Sequence, residues 1–179
     1  TGPLSSINYS VTLDTWPKNA VLNTQVWEGR TEADRDTFET IATSAGYTYV
    51  RGVAYTTKIT KTNFPAGGTA RMFMSVNSSW ITSLSDRDHT FVERISDDRG
   101  TGEVLRTRYL YTDTVKDLDY FAIDSPHGLS TFGLVQLSGS GNPLQLITLT
   151  VSGHVSPSTY SGSSSDSDSS SSDSGPAGG

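Results

Sequence analysis

Apolar and polar residues alternate with a period of two along most of the first 150 residues, the spacing of strands with one buried face. INYSVTL at 7–13 and AVLNTQV at 20–26 read this way. DTWPKN between them supplies turn residues in Pro17 and Asn19. One segment follows a different period. TEADRDTFETIATSAGY at 31–47 places Phe38, Ile41, Ala42 and Ala45 at i, i+3, i+4 and i+7. Thr31 stands where a capping hydroxyl belongs, Glu32 and Asp34 fall in the first turn, and Gly46 ends the pattern. The spacing predicts one short helix near 31–45.

After Gly46 the period returns to two. YTYVRGVAYTTKITKTNF places Val53, Tyr55 and Ile59 on one face, with Lys58 and Thr60 on the other, and ARMFMSVNSSW puts Met72, Met74 and Val76 on a common face. HTFVERI and EVLRTRYLY flank SDDRGTG, a hairpin loop by composition. DYFAID, LSTFGLVQL and LQLITLTVS supply three further strands, separated by Pro126 with Gly128 and by SGSGNP. In LSTFGLVQL, Phe132 and Leu134 project to one side and Val135 and Leu137 to the other, the signature of a central strand buried on both faces. Seven to nine such strands predict a mainly β domain over residues 1–155, an antiparallel β-sandwich, immunoglobulin-like in architecture, with one short helix. No repeat of 20–50 residues appears, which argues against a solenoid.

Composition changes the picture at residue 156. Residues 156–179, rich in Ser, Asp and Gly, have too little apolar surface to offset the cost of ordering their backbone, and a flexible tail is expected there. Ser and Thr together number 51 of 179 residues while charged residues make up 18%, a balance that suits an exported β protein. Cysteine is absent, so disulfides and thiolate metal sites are excluded. The formal charge is −6, and Asp166, Asp168 and Asp173 carry three of those charges. No basic stretch is long enough to neutralise a phosphate backbone, which speaks against nucleic acid. No apolar run approaches the roughly 20 residues that span a bilayer, so membrane insertion by this chain is not expected. The opening TGPLSS has no signal-peptide character and suits a mature or excised chain.

Several residue groups invite a chemical reading. DSPHGLS brings Asp124, His127 and Ser130 within seven residues, the side-chain types of a hydrolytic triad. Yet Pro126 and Gly128 mark a turn, and Ser130 lies in an extended segment without a strand-to-helix elbow. The turn is the preferred reading, and no catalytic residue is assigned. His89 and His154 lie apart from His127 without zinc-ligand spacing. Asp97, Asp98 and Glu103 surround glycines in SDDRGTGE, with Asp86 and Asp88 in SDRD nearby in sequence. Those carboxylates are the weak candidates for a structural calcium site, the only cofactor considered. Asn8 and Asn77 head N-glycosylation sequons, and Asn77, just past a strand, is the better acceptor. Trp16, Trp27 and Trp80, with Tyr47, Tyr49, Tyr109 and Tyr111, raise a sugar-stacking option beside ordinary core and rim packing. Arg106 and Arg108 alternate opposite Leu105, Thr107 and Tyr109, as on a solvated sheet face.

ARMFMSVNSSWI, VERISDDRGTGEVLRTRYLYTD and LDYFAIDSPHGLSTFGLVQL together resemble a β-rich domain of archaeal surface proteins, found especially in methanogens and labelled PGF-pre-PGF. Val76, Trp80, Leu105, Thr107, Arg108, Tyr109, Phe121, Ser125, Pro126, Gly128, Ser130, Phe132 and Gly133 occupy the places of that family's V-S-x-x-W, L-x-T-R-Y and F-x-A-x-S-P-x-G-x-S-x-F-G-L elements. The resemblance spans roughly residues 50–137. It implies an extracellular, non-catalytic cell-surface module followed by a low-complexity spacer, which residues 156–179 match, and by an anchor or sorting signal; the chain departs from that pattern in that residues 156–179 include no apolar helix and no PGF. The expectation is therefore a non-enzymatic structural module of an archaeal surface protein, acting in envelope, surface-layer (S-layer), sheath or filament assembly or display. Its partners would be other copies or other envelope proteins. One route is addition of the N-terminal strand to a neighbour's sheet edge. The alternative is a carbohydrate-binding or adhesion module whose partner is a glycan.

Overall fold

A computed structural model of the chain describes residues 4–11, 17–65 and 68–150, with the 4–11 segment described as backbone. The fold is mainly β and entirely antiparallel in its pairing. Nine strands run in chain order: β1 (Leu4–Val11), β2 (Val21–Glu28), β3 (Tyr49–Thr62), β4 (Ala70–Asn77), β5 (Thr90–Ile95), β6 (Thr101–Asp113), β7 (Leu118–Ser125), β8 (Thr131–Ser138) and β9 (Ile147–Thr148). Helix α1 (Arg35–Ser44) lies between β2 and β3, and the single-turn α2 (Leu84–Asp88) between β4 and β5. The tail at 156–179 lies outside the described residues, as do His154 and Trp16.

The strands form one continuous sheet in the order β1-β4-β7-β6-β5-β8-β3-β2, with β9 added beside the start of β6. The layers expected of a sandwich are thus two wings of a single sheet. They meet at β6, which pairs through residues 102–106 with β5 and through 107–113 with β7. The wings fold over a shared core. Ala54, Tyr55 and Ile59 of β3, Met72, Met74 and Val76 of β4, Val92 of β5, Leu105 of β6, Phe121 and Ile123 of β7, and Phe132 and Leu134 of β8 belong to one buried cluster. The Tyr55 hydroxyl donates to the Ser75 carbonyl at 3.2 Å, although β3 and β4 are far apart in the strand order. A bond of that kind requires the sheet to curl.

A second cluster lies on the outer face of the wing built from β5, β8 and β3. Phe38, Ile41 and Ala42 of α1 and Ala45 at its C-terminal cap pack there with Val50, Ile95, Val104, Val135 and Leu137. The predicted central strand is β8, between β5 and β3. Its Phe132 and Leu134 enter the inter-wing core and its Val135 and Leu137 the helix-side core. Helix α1 ends as its sequence indicates. Gly46 takes φ +98°, its N–H donates to the Thr43 carbonyl at 3.0 Å, and the Tyr47 N–H donates to the Ala42 carbonyl at 3.0 Å, the paired bonds of a Schellman terminus. The N-terminus differs. Thr31 precedes a 3-10 turn at Glu32–Asp34, and its hydroxyl donates to Asp34 Oδ2 at 2.6 Å instead of accepting from the backbone.

Three local expectations change. Val53 packs with the helix-side cluster while Tyr55 and Ile59 face the inter-wing core, because the β3–β8 register shifts between Val53 and Tyr55. A bulge of this kind turns the residues before it to the opposite face. The first strand sits a few residues earlier than 7–13 and pairs with β4 of its own chain. The segment after β4 forms a 3-10 turn at Ser78–Trp80 and then α2. There Asn77 Oδ1 accepts from the Ser79 N–H at 3.0 Å and Ser83 Oγ from the Asp86 N–H at 3.0 Å, local caps that favour a turn over continued strand.

Two glycines seat α1. A Cβ on Gly133 would stand 2.6 Å from Phe38 Cζ, and one on Gly102 would stand 2.4 Å from Ile41 Cδ1. Those distances leave no room for a methyl group, so the glycines are the hollows that receive the helix's two largest apolar side chains. Gly133→Ala is expected to lower stability by about 1–3 kcal/mol through overpacking. Gly133→Ala with Phe38→Leu should recover part of that loss in chemical denaturation. Equal losses in the single and double variants would contradict this seating.

Candidate functional site

The turn at 125–128 is held from both sides. Ser125 is fully buried and its hydroxyl donates to the Gly128 carbonyl at 2.7 Å, and Gly128 adopts φ +80°, a conformation that costs glycine little. Beneath the turn lies an ion pair from neighbouring strands. Arg94 of β5 stands in register with Glu103 of β6, and its Nη1 lies 3.8 Å from Glu103 Oε1. The other guanidinium nitrogens reach the turn: Nη2 donates to the His127 carbonyl at 2.7 Å and Nε to the Gly128 carbonyl at 3.4 Å. Burial pulls the Arg94 pKa down, and Glu103 opposes that shift. Glu103 has no solvent exposure, and the His127 ring covers it, with Nδ1 at 2.9 Å and 3.1 Å from its two carboxyl oxygens. The His127 side chain itself is 48% exposed.

The three side chains of DSPHGLS therefore turn to three different partners. Asp124 is exposed and accepts from Arg71 Nε at 2.7 Å, a bond that holds its carboxyl below the usual range. His127 faces Glu103. Ser130 is fully buried, bonded to the Ile95 carbonyl and 2.9 Å from Asp97 Oδ1. A triad needs one base between nucleophile and acid, and here each group has its own partner.

The carboxylates considered for calcium also diverge. Asp97 pairs with Lys61 Nζ at 3.0 Å. Asp98 accepts from Ser96 Oγ at 2.6 Å and from the Gly100 N–H at 2.9 Å, the hydrogen bonds of the β5–β6 hairpin, and the Ser96 bond is the leading cause that lowers its pKa. Glu103 is engaged by Arg94 and His127. Asp86 accepts from the Thr82 hydroxyl at 2.6 Å and pairs with Arg51 at 3.1 Å. Among the described residues, no group of three or more His, Asp or Glu side chains is placed to hold a metal ion.

The aromatic residues are dispersed. Tyr47 is buried beside Phe91, and Trp80 packs partly buried against the inter-wing core. Arg87 stacks over the Tyr109 ring at 3.6 Å, and Phe121 meets its edge. Tyr111 stacks on Tyr120 with centroids 4.6 Å apart. Trp27 and Tyr49 are exposed. Of the sequon asparagines, Asn77 stands half-buried at the end of β4 with its side-chain oxygen bonded to Ser79. Asn8 falls in β1, opposite Phe73, and its side chain lies outside the description. His89 bonds the Ser85 carbonyl through Nδ1 at 2.7 Å.

Glu93 was not singled out from the sequence. On β5 it stands between Val104 of β6 and Gly133 of β8, on the helix side. It has no exposure, and neither carboxyl oxygen has a hydrogen-bond partner among the described residues. Burial pushes its pKa well above the ordinary carboxyl value, and Glu39 of α1 adds to the shift. A sequence signal existed: FVERI sets an acid and a base side by side inside an otherwise apolar strand. No family model, curated protein or solved structure matches this chain.

Proposed function

We propose that this chain is a non-enzymatic structural module of an extracellular archaeal-type surface protein that acts by contact, through the edges of its sheet, with other copies or with other envelope proteins. One observation carries this reading. Strand β2 ends the sheet order, and it presents Val21, Val26 and Trp27, each more than a third exposed, with no Lys, Arg or Pro within its eight residues. Unpaired edges are templates for further strands, and charge or proline is the usual protection against that. An edge whose one charge, Glu28, stands at its end suits a chain that pairs with a neighbour. The divergence of Asp124, His127 and Ser130, the glycine-seated helix and the resemblance of residues 50–137 to methanogen surface domains favour the same reading.

Sedimentation velocity over a concentration series tests it. The chain is expected to associate as concentration rises, and Val26→Lys with Trp27→Lys should weaken association at least about tenfold, the effect of charging an interface centre. A monomer at every concentration, or charged variants that associate like the parent, would remove the proposal.

A further inference from the structure

Among the described residues, the outer face of the wing formed by β4, β7 and β6 carries no helix, and it is cationic. Arg71 of β4 and Asp124 of β7 are register partners, and Arg108 of β6 stands opposite Ala122 of β7. Arg106 lies two residues before Arg108 on the same face. Two adjoining depressions of about 520 and 400 Å³ share Arg71, Asp124 and Leu144, and the second also reaches Arg106, Arg108 and Ala122. Among the described residues, Asp124 is the only carboxylate lining this groove, and it is already bonded to Arg71. Arg106 and Arg108 are exposed and form no ion pair or hydrogen bond with the described residues. The groove thus sets three guanidinium groups against one carboxylate, which Arg108 also helps to hold in its charged form, and Arg106 and Arg108 are spaced about 7 Å along an extended strand.

We propose that this groove is the docking site of the chain's own Ser/Asp segment, residues 156–179. That segment contains Asp166, Asp168 and Asp173 and no Lys or Arg. Asp166-Ser167-Asp168 repeats, in opposite charge, the spacing of Arg106-Thr107-Arg108. In any extended backbone, carboxylates two residues apart share a face at an interval of about 7 Å, and planar guanidinium forks favour carboxylates. The exposed Leu144 side chain forms an apolar wall of the groove. Reach is ample. β9 ends the described chain nearby, with Ile147 opposite Gly102 of β6, and Arg106 is four residues further along β6, about 13 Å. Asp166 follows Thr150 by 16 residues, a contour of roughly 50 Å.

The cysteine-free sequence permits a direct test on the full chain. Ser170→Cys carries a single nitroxide label, and amide signals are read by NMR on isotope-enriched protein. At about 0.01 M salt, where charges act over about 30 Å, the amides of Arg71, Arg106, Arg108 and Ala122 are expected to lose at least about half their intensity. Amides of α1 should not. The effect should vanish at about 1 M salt, where the screening length is about 3 Å, and in the Asp166→Asn/Asp168→Asn variant. It should persist when the labelled chain is diluted into unlabelled, unenriched chain, because the contact is intramolecular. Uniform broadening, broadening unchanged in the Asn variant, or a groove that responds to added polygalacturonate while ignoring the label would each overturn the proposal; the last would assign the groove to acidic glycans instead.

Discussion

Arg94→Met is expected to lower the stability of the fold by about 3–5 kcal/mol, the cost of leaving a buried charge without its partner. Glu103 has no contact with solvent, so removal of the guanidinium leaves its carboxyl with the His127 imidazole alone. The His127 carbonyl loses the Arg94 donor at the same time, and the Gly128 carbonyl keeps only the bond from the Ser125 hydroxyl. The pair itself need not stabilise the fold, because moving two charges out of water offsets most of their attraction. Arg94→Met combined with Glu103→Leu should therefore recover most of the loss, and the coupling in a double-mutant cycle should be large. Urea denaturation of the four proteins measures this directly. Arg71→Met, which breaks a solvent-exposed pair with Asp124, serves as the control and should change little. If Arg94→Met is as mild as that control, the turn is not held from below.

Replacement of Glu93 by Met is expected to stabilise the protein increasingly as pH rises. Burial under α1, with Glu39 nearby, pushes this carboxyl well above its ordinary value of 4.5. Between the unfolded value and the raised folded value, the folded chain keeps a proton that the unfolded chain has released. Stability must then fall as pH rises through that window, by up to about 1.4 kcal/mol per pH unit for one group. Met has no proton to lose and fills a similar volume among Val104, Phe91 and Ile95. The gap between variant and parent should be small near pH 4 and widen above it. Asp86, Asp98 and Asp124, whose pKa values are lowered by hydrogen bonds, give stability that is lost as pH falls, but both proteins carry them and the difference cancels. Denaturation midpoints across pH 4–9 check this. Parallel pH profiles for the two proteins would show that Glu93 does not bear the burial cost inferred for it.

In the structural role proposed for this chain, the glycines would act through rigidity. Gly102 and Gly133 let α1 sit tightly on the second wing, and Arg94 ties β5 to the turn that opens β8. Among the described residues, the wing of β4, β7 and β6 has no such cover on its outer face. The edge at β2 and the groove at Arg106 and Arg108 are the two surfaces that the proposals above assign to contact.

Much of the fold was legible from residue periodicity. Alternation marked each of the nine strands to within a few residues, because a pleated strand with one buried face imposes a period of two. The i, i+3, i+4, i+7 set around Phe38 and the glycine at 46 located α1 and its end for the same kind of local reason. Phe132, Leu134, Val135 and Leu137 showed β8 to be central before any partner was known. Tertiary structure decided what no local rule contains. It joined the two layers into one sheet through β6, and it bulged β3 so that Val53 and Tyr55 parted. It drew His127 to Glu103, Ser130 to Asp97 and Asp124 to Arg71, although the three lie within seven residues. It also set Glu93 where neither carboxyl oxygen has a hydrogen-bond partner among the described residues. Local sequence reports which face of a segment prefers to leave water. Which distant charge lies opposite is set by strand order and register, and these emerge only when all the faces are buried at once.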